Sequence, residues 1–284
     1  MEGSSIEPFY FRGRSNCTKM LINGLGDLGA QAMASMLKEN NTLVRLSVSN
    51  NGFTDCSAEF LSLALVTNAK LQYLDLSHNI LGDTIYFSCN HVMLLQMGYT
   101  RGCFLRGKRL FEEKGQSLNH QDTLEGLSEN TGLKTLNLAW NCIRGRGAVM
   151  LASGLASNIF LRSVDLSFNG FGKEGAVALG QALKENNVLE ELNISNNRIP
   201  PEGALRLATG LRVNKTIKSL NVGKNPVQNA GCYSLLKSIQ ANKDSAMEIL
   251  DLSVSYIAYA FSNTGSLLLY IFTLCLSLFP GHFC

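Results

Sequence analysis

The chain has 284 residues, of which 45% are hydrophobic and 17% charged, and carries a formal net charge of +3. Charged residues are fewer than the usual quarter, and so small a positive excess, with no basic stripe, argues against a phosphate-binding surface and hence against a nucleic-acid partner. Eight cysteines without close pairing or a C-x-x-C, and a start (MEGSSIEPF) lacking a basic-then-apolar signal segment, point to reduced, buried thiols in a cytoplasmic protein.

Residues 1–14 read as a flank. A degraded block follows, with Ser15, Thr18 and Met20 at apolar positions, Asn23, and then a helix bearing Gly29, Ala30, Met33, Ala34 and Leu37. Leu43, Leu46, Val48, Asn51 and Phe53 open the second block, whose helix carries Ala58, Leu61 and Leu65. Leu71, Leu74, Leu76 and Asn79 open the third. From Leu71 to the next block at Leu133 is 62 residues, one period plus 34, so an irregular insertion at about 84–120 interrupts the array; Leu127 and Asn130 mark the return of the helical pattern. Insertions in repeat arrays emerge as loops on one face.

From Leu133 the register is strict. LKTLNLAWNCI, LRSVDLSFNGF, LEELNISNNRI and IKSLNVGKNPV begin at Leu133, Leu161, Leu189 and Ile217, each 28 residues after the last. Alternating apolar residues predict a strand with one face in a shared core, and the Asn turns inward to satisfy backbone groups at the bend. Between strands, Gly175, Ala176, Leu179 and Leu183 and their counterparts Gly203, Ala204, Leu207 and Leu211 fall on one helical face. The expected fold is a curved α/β solenoid of about 28 residues per repeat spanning 15–255, with parallel strands on the concave face and helices on the convex face.

An eighth strand starts at Met247, 30 residues on, with Ser255 in place of the Asn. After Asp251 no Asp, Glu, Lys or Arg occurs, and Leu267–Phe279 is a run of thirteen mostly apolar residues. That run is short for a membrane span, which takes about 20 residues. The 256–284 tail is expected to cap or dimerise the array, with membrane anchoring as the lesser alternative.

No catalytic constellation emerges. His78, His91, His120 and His282 stand in unrelated contexts, and neither H-E-x-x-H, a P-loop nor metal-ligand spacing occurs. The expectation is a protein that is not an enzyme, with no cofactor, no metal and no small-molecule substrate. The concave face instead offers columns of outward residues. One column is Ser47, Asp75, Asn137, Asp165, Asn193, Asn221 and Asp251; another, just before the inward Asn, is Asn50, His78, Trp140, Phe168, Asn196, Lys224 and Val254. Trp140, the only tryptophan, is expected about 5 Å from Phe168 on the next strand. Outward aromatics are the composition of a binding hot spot, so Trp140, Phe168, Tyr73, His78, Asp75, Asn137 and Asp165 are the candidate contacts for a protein partner. Glu190, Glu191 and Asp165 on one side, with Arg162 and Arg198 on the other, read more simply as a solvated rim.

The blocks LKTLNLAWNCI through NVGKNPV resemble ribonuclease-inhibitor-like leucine-rich repeats, which also occur in NOD-like receptors, tropomodulins and the GTPase-activating protein of the Ran GTPase. In style, DLSFNGFGKEGAVALGQALKENNVLEELNISNNRI is most similar to the small cytosolic leucine-rich-repeat-containing proteins of animals without assigned activity. The resemblance implies protein binding through the concave face, with activation of a small GTPase as an alternative. It implies no particular functional residue, because the chain shows neither a nucleotide-binding module nor an acidic tail.

Overall fold

A computed structural model describes residues 17–19, 24–82 and 130–253. The flank 1–14, Asn23, Leu127, the 84–120 insertion and the 256–284 tail lie outside the described residues.

Eight three-residue strands form one parallel sheet in sequence order. They are β1 (Cys17–Lys19), β2 (Arg45–Ser47), β3 (Tyr73–Asp75), β4 (Thr135–Asn137), β5 (Ser163–Asp165), β6 (Glu191–Asn193), β7 (Ser219–Asn221) and β8 (Ile249–Asp251). The described helices are α1 (Gly26–Glu39), α2 (Asp55–Thr67), α3 (Gly145–Ser157), α4 (Gly172–Glu185), α5 (Pro201–Leu211) and α6 (Gln228–Ala241). Sequential helices pack side by side behind the sheet, α3 on α4, α4 on α5 and α5 on α6. Strand and helix each bury one apolar stripe, and the two stripes meet in a continuous core that includes Leu46, Leu74, Leu136, Val164, Leu192 and Leu220 from the strands. Leu61, Leu151, Leu179, Leu207 and Leu235 enter it from the helices. The result is the curved parallel-stranded solenoid that the periodicity predicts.

Two ladders of asparagine hold the repeats together. In the first, at the strand ends, the side chain of Asn225 accepts from the backbone N–H of Asn197 (2.7 Å) and Ile199 (3.1 Å), and donates to the carbonyls of Ile194, Val222 and Gly223. Asn79, Asn141, Asn169 and Asn197 make similar bonds one repeat apart. The second ladder stands at the helix ends. Asn68 donates to the carbonyls of Leu37 and Asn40 and accepts from the N–H of Lys70 and Leu71; Asn186 and Asn214 repeat this. A helix leaves its last carbonyls without internal partners, and here an amide from the following repeat serves them.

Both ladders run across the interruption. Tyr73 pairs with Thr135 as Arg45 pairs with Tyr73, although the sequence separation is 62 residues instead of 28. Asn130 donates to the carbonyls of Leu65 and Asn68, and Asn141 accepts from Leu81 N–H. The repeats on either side of the insertion are therefore hydrogen-bonded neighbours.

Near the array's beginning, Asp27 ties α1 to α2. Its carboxylate accepts from the hydroxyls of Thr54 and Ser57 and from Thr54 N–H. Partial burial works against its charge, but the Ser57 and Thr54 hydrogen bonds outweigh it and hold the carboxyl below its ordinary range. A carboxylate with a depressed folded pKa stabilises above its unfolded pKa and ceases to do so as pH falls through the folded value. Asp27→Asn should lower stability at pH 7, and the difference from wild type should be smaller at a pH below the depressed folded-state value, where both side chains are neutral. Urea unfolding at the two pH values, read by amide exchange in α1, measures it; a difference that did not change with pH would show that charge plays no part.

Candidate functional site

Strands β3 to β8 end in the same local device. The polar residue that closes the strand folds its side chain back onto the N–H two residues on: Asp75 onto Ser77 (3.0 Å), Asn137 onto Ala139 (2.9 Å) and Asp165 onto Ser167 (2.9 Å). This is an Asx turn. The residue after it then takes a left-handed backbone, with φ of +56° at His78, Trp140 and Phe168 alike. Its N–H bonds to the next repeat, His78 to Ala139, Trp140 to Ser167 and Phe168 to Ser195. The following residue is the inward Asn of the first ladder.

The left-handed turn aims the three side chains out from the C-terminal ends of the strands as a stack. His78 and Trp140 lie with ring centroids 5.4 Å apart and planes inclined by 12°; Trp140 and Phe168 are 3.9 Å apart and inclined by 10°. The rings are parallel because their backbones are identical and one strand apart. Lys224 reaches over the Asn196 position to put its ammonium 5.6 Å from the centre of the Phe168 ring. Trp140 is 49% exposed and Phe168 about half-buried.

Of the seven sequence candidates, the structure brings together His78, Trp140 and Phe168. Trp140 and Phe168 are closer than the spacing of strands alone suggests, because the two near-parallel rings stack face on face. Asp75, Asn137 and Asp165 stand beneath as turn-forming groups; Asp75 also accepts from Ser47 Oγ (2.8 Å) and Asp165 from Asn193 Nδ2 (3.2 Å). Tyr73 sits at the opposite end of its strand from His78, with the Arg45 guanidinium 4.1 Å over its ring. Sequence reasoning missed the left-handed turn and the reach of Lys224. The signal for the turn was in the column itself, where Asn50 and Asn196 are residues that tolerate such a backbone.

The rim is solvated. Glu190 pairs with Lys218 (2.7 Å) and with Arg162, and these partners, Lys218 first, hold its carboxyl below the ordinary range. The thiols depart from expectation: Cys232 is buried, but Cys56 is half-buried and Cys142 exposed, because Cys142 occupies a loop position where the other repeats have Ile80, Gly170 and Arg198. Among the described residues no group of three His, Cys, Asp or Glu could hold a metal ion, and no helix is long and apolar enough to cross a membrane.

A family model described as "Leucine Rich repeat" matches residues 39–62, 67–85, 129–152, 157–180, 185–208 and 213–236. The gap between the second and third matches falls on the interruption. A curated human relative, "NACHT, LRR and PYD domains-containing protein 14", is 31% identical over 131 residues, covering 45% of this chain; the chain spans 11% of that protein's length. Among solved structures, "Leiomodin-1 Actin-Binding Site 2" is similar at 26% identity over 43% of this chain and 71% of its own, with a TM-score of 0.38. The tropomodulin C-terminal domain of Caenorhabditis elegans is 14% identical over 55% of this chain and 92% of its own, with a TM-score of 0.41.

Proposed function

We propose, from the premise that the chain is a leucine-rich-repeat protein, that it is a non-catalytic interaction scaffold whose concave side engages a protein partner through the His78, Trp140 and Phe168 row. One observation carries this reading. A left-handed backbone costs an ordinary L-residue roughly 1–2 kcal/mol, and Asn is among the few that tolerate it routinely. Asn50 and Asn196 occupy this position on either side, yet three successive repeats place bulky rings there, and the central ring is half-exposed. Strain held at an exposed aromatic cluster is a mark of a functional surface, and Trp is enriched among residues that dominate interfaces.

Asp75, Asn137 and Asp165 act in this reading as positioning residues, since their turns set the direction of the rings. The 28-residue period, with a helix in every repeat that is fully described, supports placing the chain with the ribonuclease-inhibitor-like variety. The exposed free thiol of Cys142 supports a reducing, cytoplasmic setting.

The test is the double variant Trp140→Asn with Phe168→Asn. Relief of backbone strain offsets the lost stacking, about 0.5–1.5 kcal/mol per aromatic pair, so the fold should persist with a melting temperature within a few degrees of wild type. Partner affinity, followed by quantitative cross-linking and capture from cells, should fall at least about 100-fold, as expected for two hot-spot side chains. A capture profile identical to wild type from the folded variant would remove the row from consideration as the binding surface.

A further inference from the structure

The array's C-terminal end is built as an interior surface. Leu250 occupies the core position that Leu46, Leu74, Leu136, Val164, Leu192 and Leu220 fill in the preceding strands, yet it is only half-buried where those are fully buried. Met247 and Leu252 likewise match the buried Ile217 and Val222 and are only partly covered. Ile249 stands where earlier strands carry Arg45, Tyr73, Thr135, Ser163, Glu191 and Ser219; here the residue is aliphatic, and it is 58% exposed. Among the described residues, the β8 edge has no further strand beside it. Between β7 and β8 the Lys218 carbonyl accepts from Glu248 and Ile249 N–H, and Val222 N–H donates to Asp251. The equivalent groups on β8 are the Glu248 carbonyl and Leu252 N–H, and no ninth strand follows among the described residues. An array end of this kind needs a cover.

We infer that residues 254–284 of the same chain cover this end, laying apolar side chains over Ile249, Leu250 and Leu252. The occupant is argued from composition, length and tethering. The segment contains no Asp, Glu, Lys or Arg, and it includes LLLYIFTLCLSLF. Its 31 residues could extend about 100 Å at roughly 3.3 Å each, several times the roughly 10 Å from strand layer to helix layer. It begins at the residue after the last described one, so it meets the surface at an effective concentration on the order of millimolar, against which a second copy at micromolar concentration competes poorly. This inference concerns the end of the array and stands independently of the aromatic row.

The experiment uses the full chain and two single variants, Ile249→Lys at the array end and Ile159→Lys at a mid-array position of matching exposure, 61%. Light scattering should show a monomer across a hundredfold concentration range. Amide exchange in the peptide containing Leu250 and Leu252 should be as slow as in the peptide containing Leu220 and Val222. Ile249→Lys should lower the melting temperature by roughly 3 °C or more, and Ile159→Lys by less than about 1 °C. Fast exchange at Leu250 and Leu252 with equal, small shifts for both variants would overturn the inference, since the end would then be bare. A concentration-dependent dimer that Ile249→Lys dissociates would overturn it in favour of a second copy. Protection that appears only with phosphatidylcholine vesicles would overturn it in favour of a membrane surface.

Discussion

Asn225→Asp should be among the most damaging single-atom changes available in this protein. Asn225 is fully buried, and its amide makes five hydrogen bonds, two accepted and three donated. An aspartate keeps the two bonds from Asn197 and Ile199 N–H. Its second oxygen, however, replaces an NH2 that points at the carbonyls of Ile194, Val222 and Gly223, so an anion faces three acceptors. The cost of a buried, uncompensated charge and three unserved carbonyls is about 3–5 kcal/mol at pH 7, more than Asn225→Ala, which loses the bonds without adding charge. The pH dependence follows from the same geometry. Surrounding carbonyls raise the folded-state pKa of the new carboxyl, so the penalty grows as pH rises above the unfolded value near 3.9 and fades below it. Urea unfolding at pH 7 and pH 4 should find Asp worse than Ala at the higher pH and the two closer at the lower. A pH-independent ordering would mean the carboxylate finds a donor or water that the amide ladder does not provide.

The ladder also marks the border of what the sequence could tell. Strand positions, helix faces and the inward Asn follow from apolar periodicity and a 28-residue spacing, and they agree with the buried set down to Leu46, Leu74 and Leu136. The second ladder was half-visible: Asn130 and Asn186 align, but a recurring Asn at a helix end does not by itself reveal that its amide serves the carbonyls of the preceding repeat. The polar column faces away from the core, as the pattern predicts, but its members are also engaged in their own turns. Asp75, Asn137 and Asp165 spend acceptor capacity on their own turns, a commitment two residues long that pattern reading does not register. Tyr73 was grouped with His78 because both lie in one repeat, whereas strand direction separates them by the length of the strand. Trp140 and Phe168 could be placed one repeat apart from spacing alone; that their rings stack required the backbone conformation.

A substitution on the convex side should separate fold stability from the concave surface. Gly180 of α4 and Gly210 of α5 let two helix backbones touch: a Cβ on Gly180 would lie 2.4 Å from the Arg206 carbonyl oxygen, and one on Gly210 would lie 2.4 Å from the Gly180 carbonyl oxygen. Gly180→Ala gains up to about 1 kcal/mol of helix propensity, but the overlap is with backbone that cannot rotate away, so α5 must move by about 1 Å against its own packing. A net loss of about 2 kcal/mol is expected. Gly145 offers the contrast, because nothing lies within 4 Å of its added Cβ and its φ of +47° makes the cost purely conformational. The strand side cannot follow the helices apart, since the β5–β6 spacing is fixed by backbone hydrogen bonds such as Leu166 N–H to Asn193 and Phe168 N–H to Ser195. The displacement therefore opens the convex side and leaves the ring stack in register. Gly180→Ala should show a melting temperature lower by roughly 4–8 °C and partner capture close to wild type well below that midpoint, the reverse of the pattern expected for Trp140→Asn with Phe168→Asn. Loss of capture from the still-folded Gly180→Ala protein would mean that the partner reads the curvature of the array and that the aromatic row alone does not define the surface.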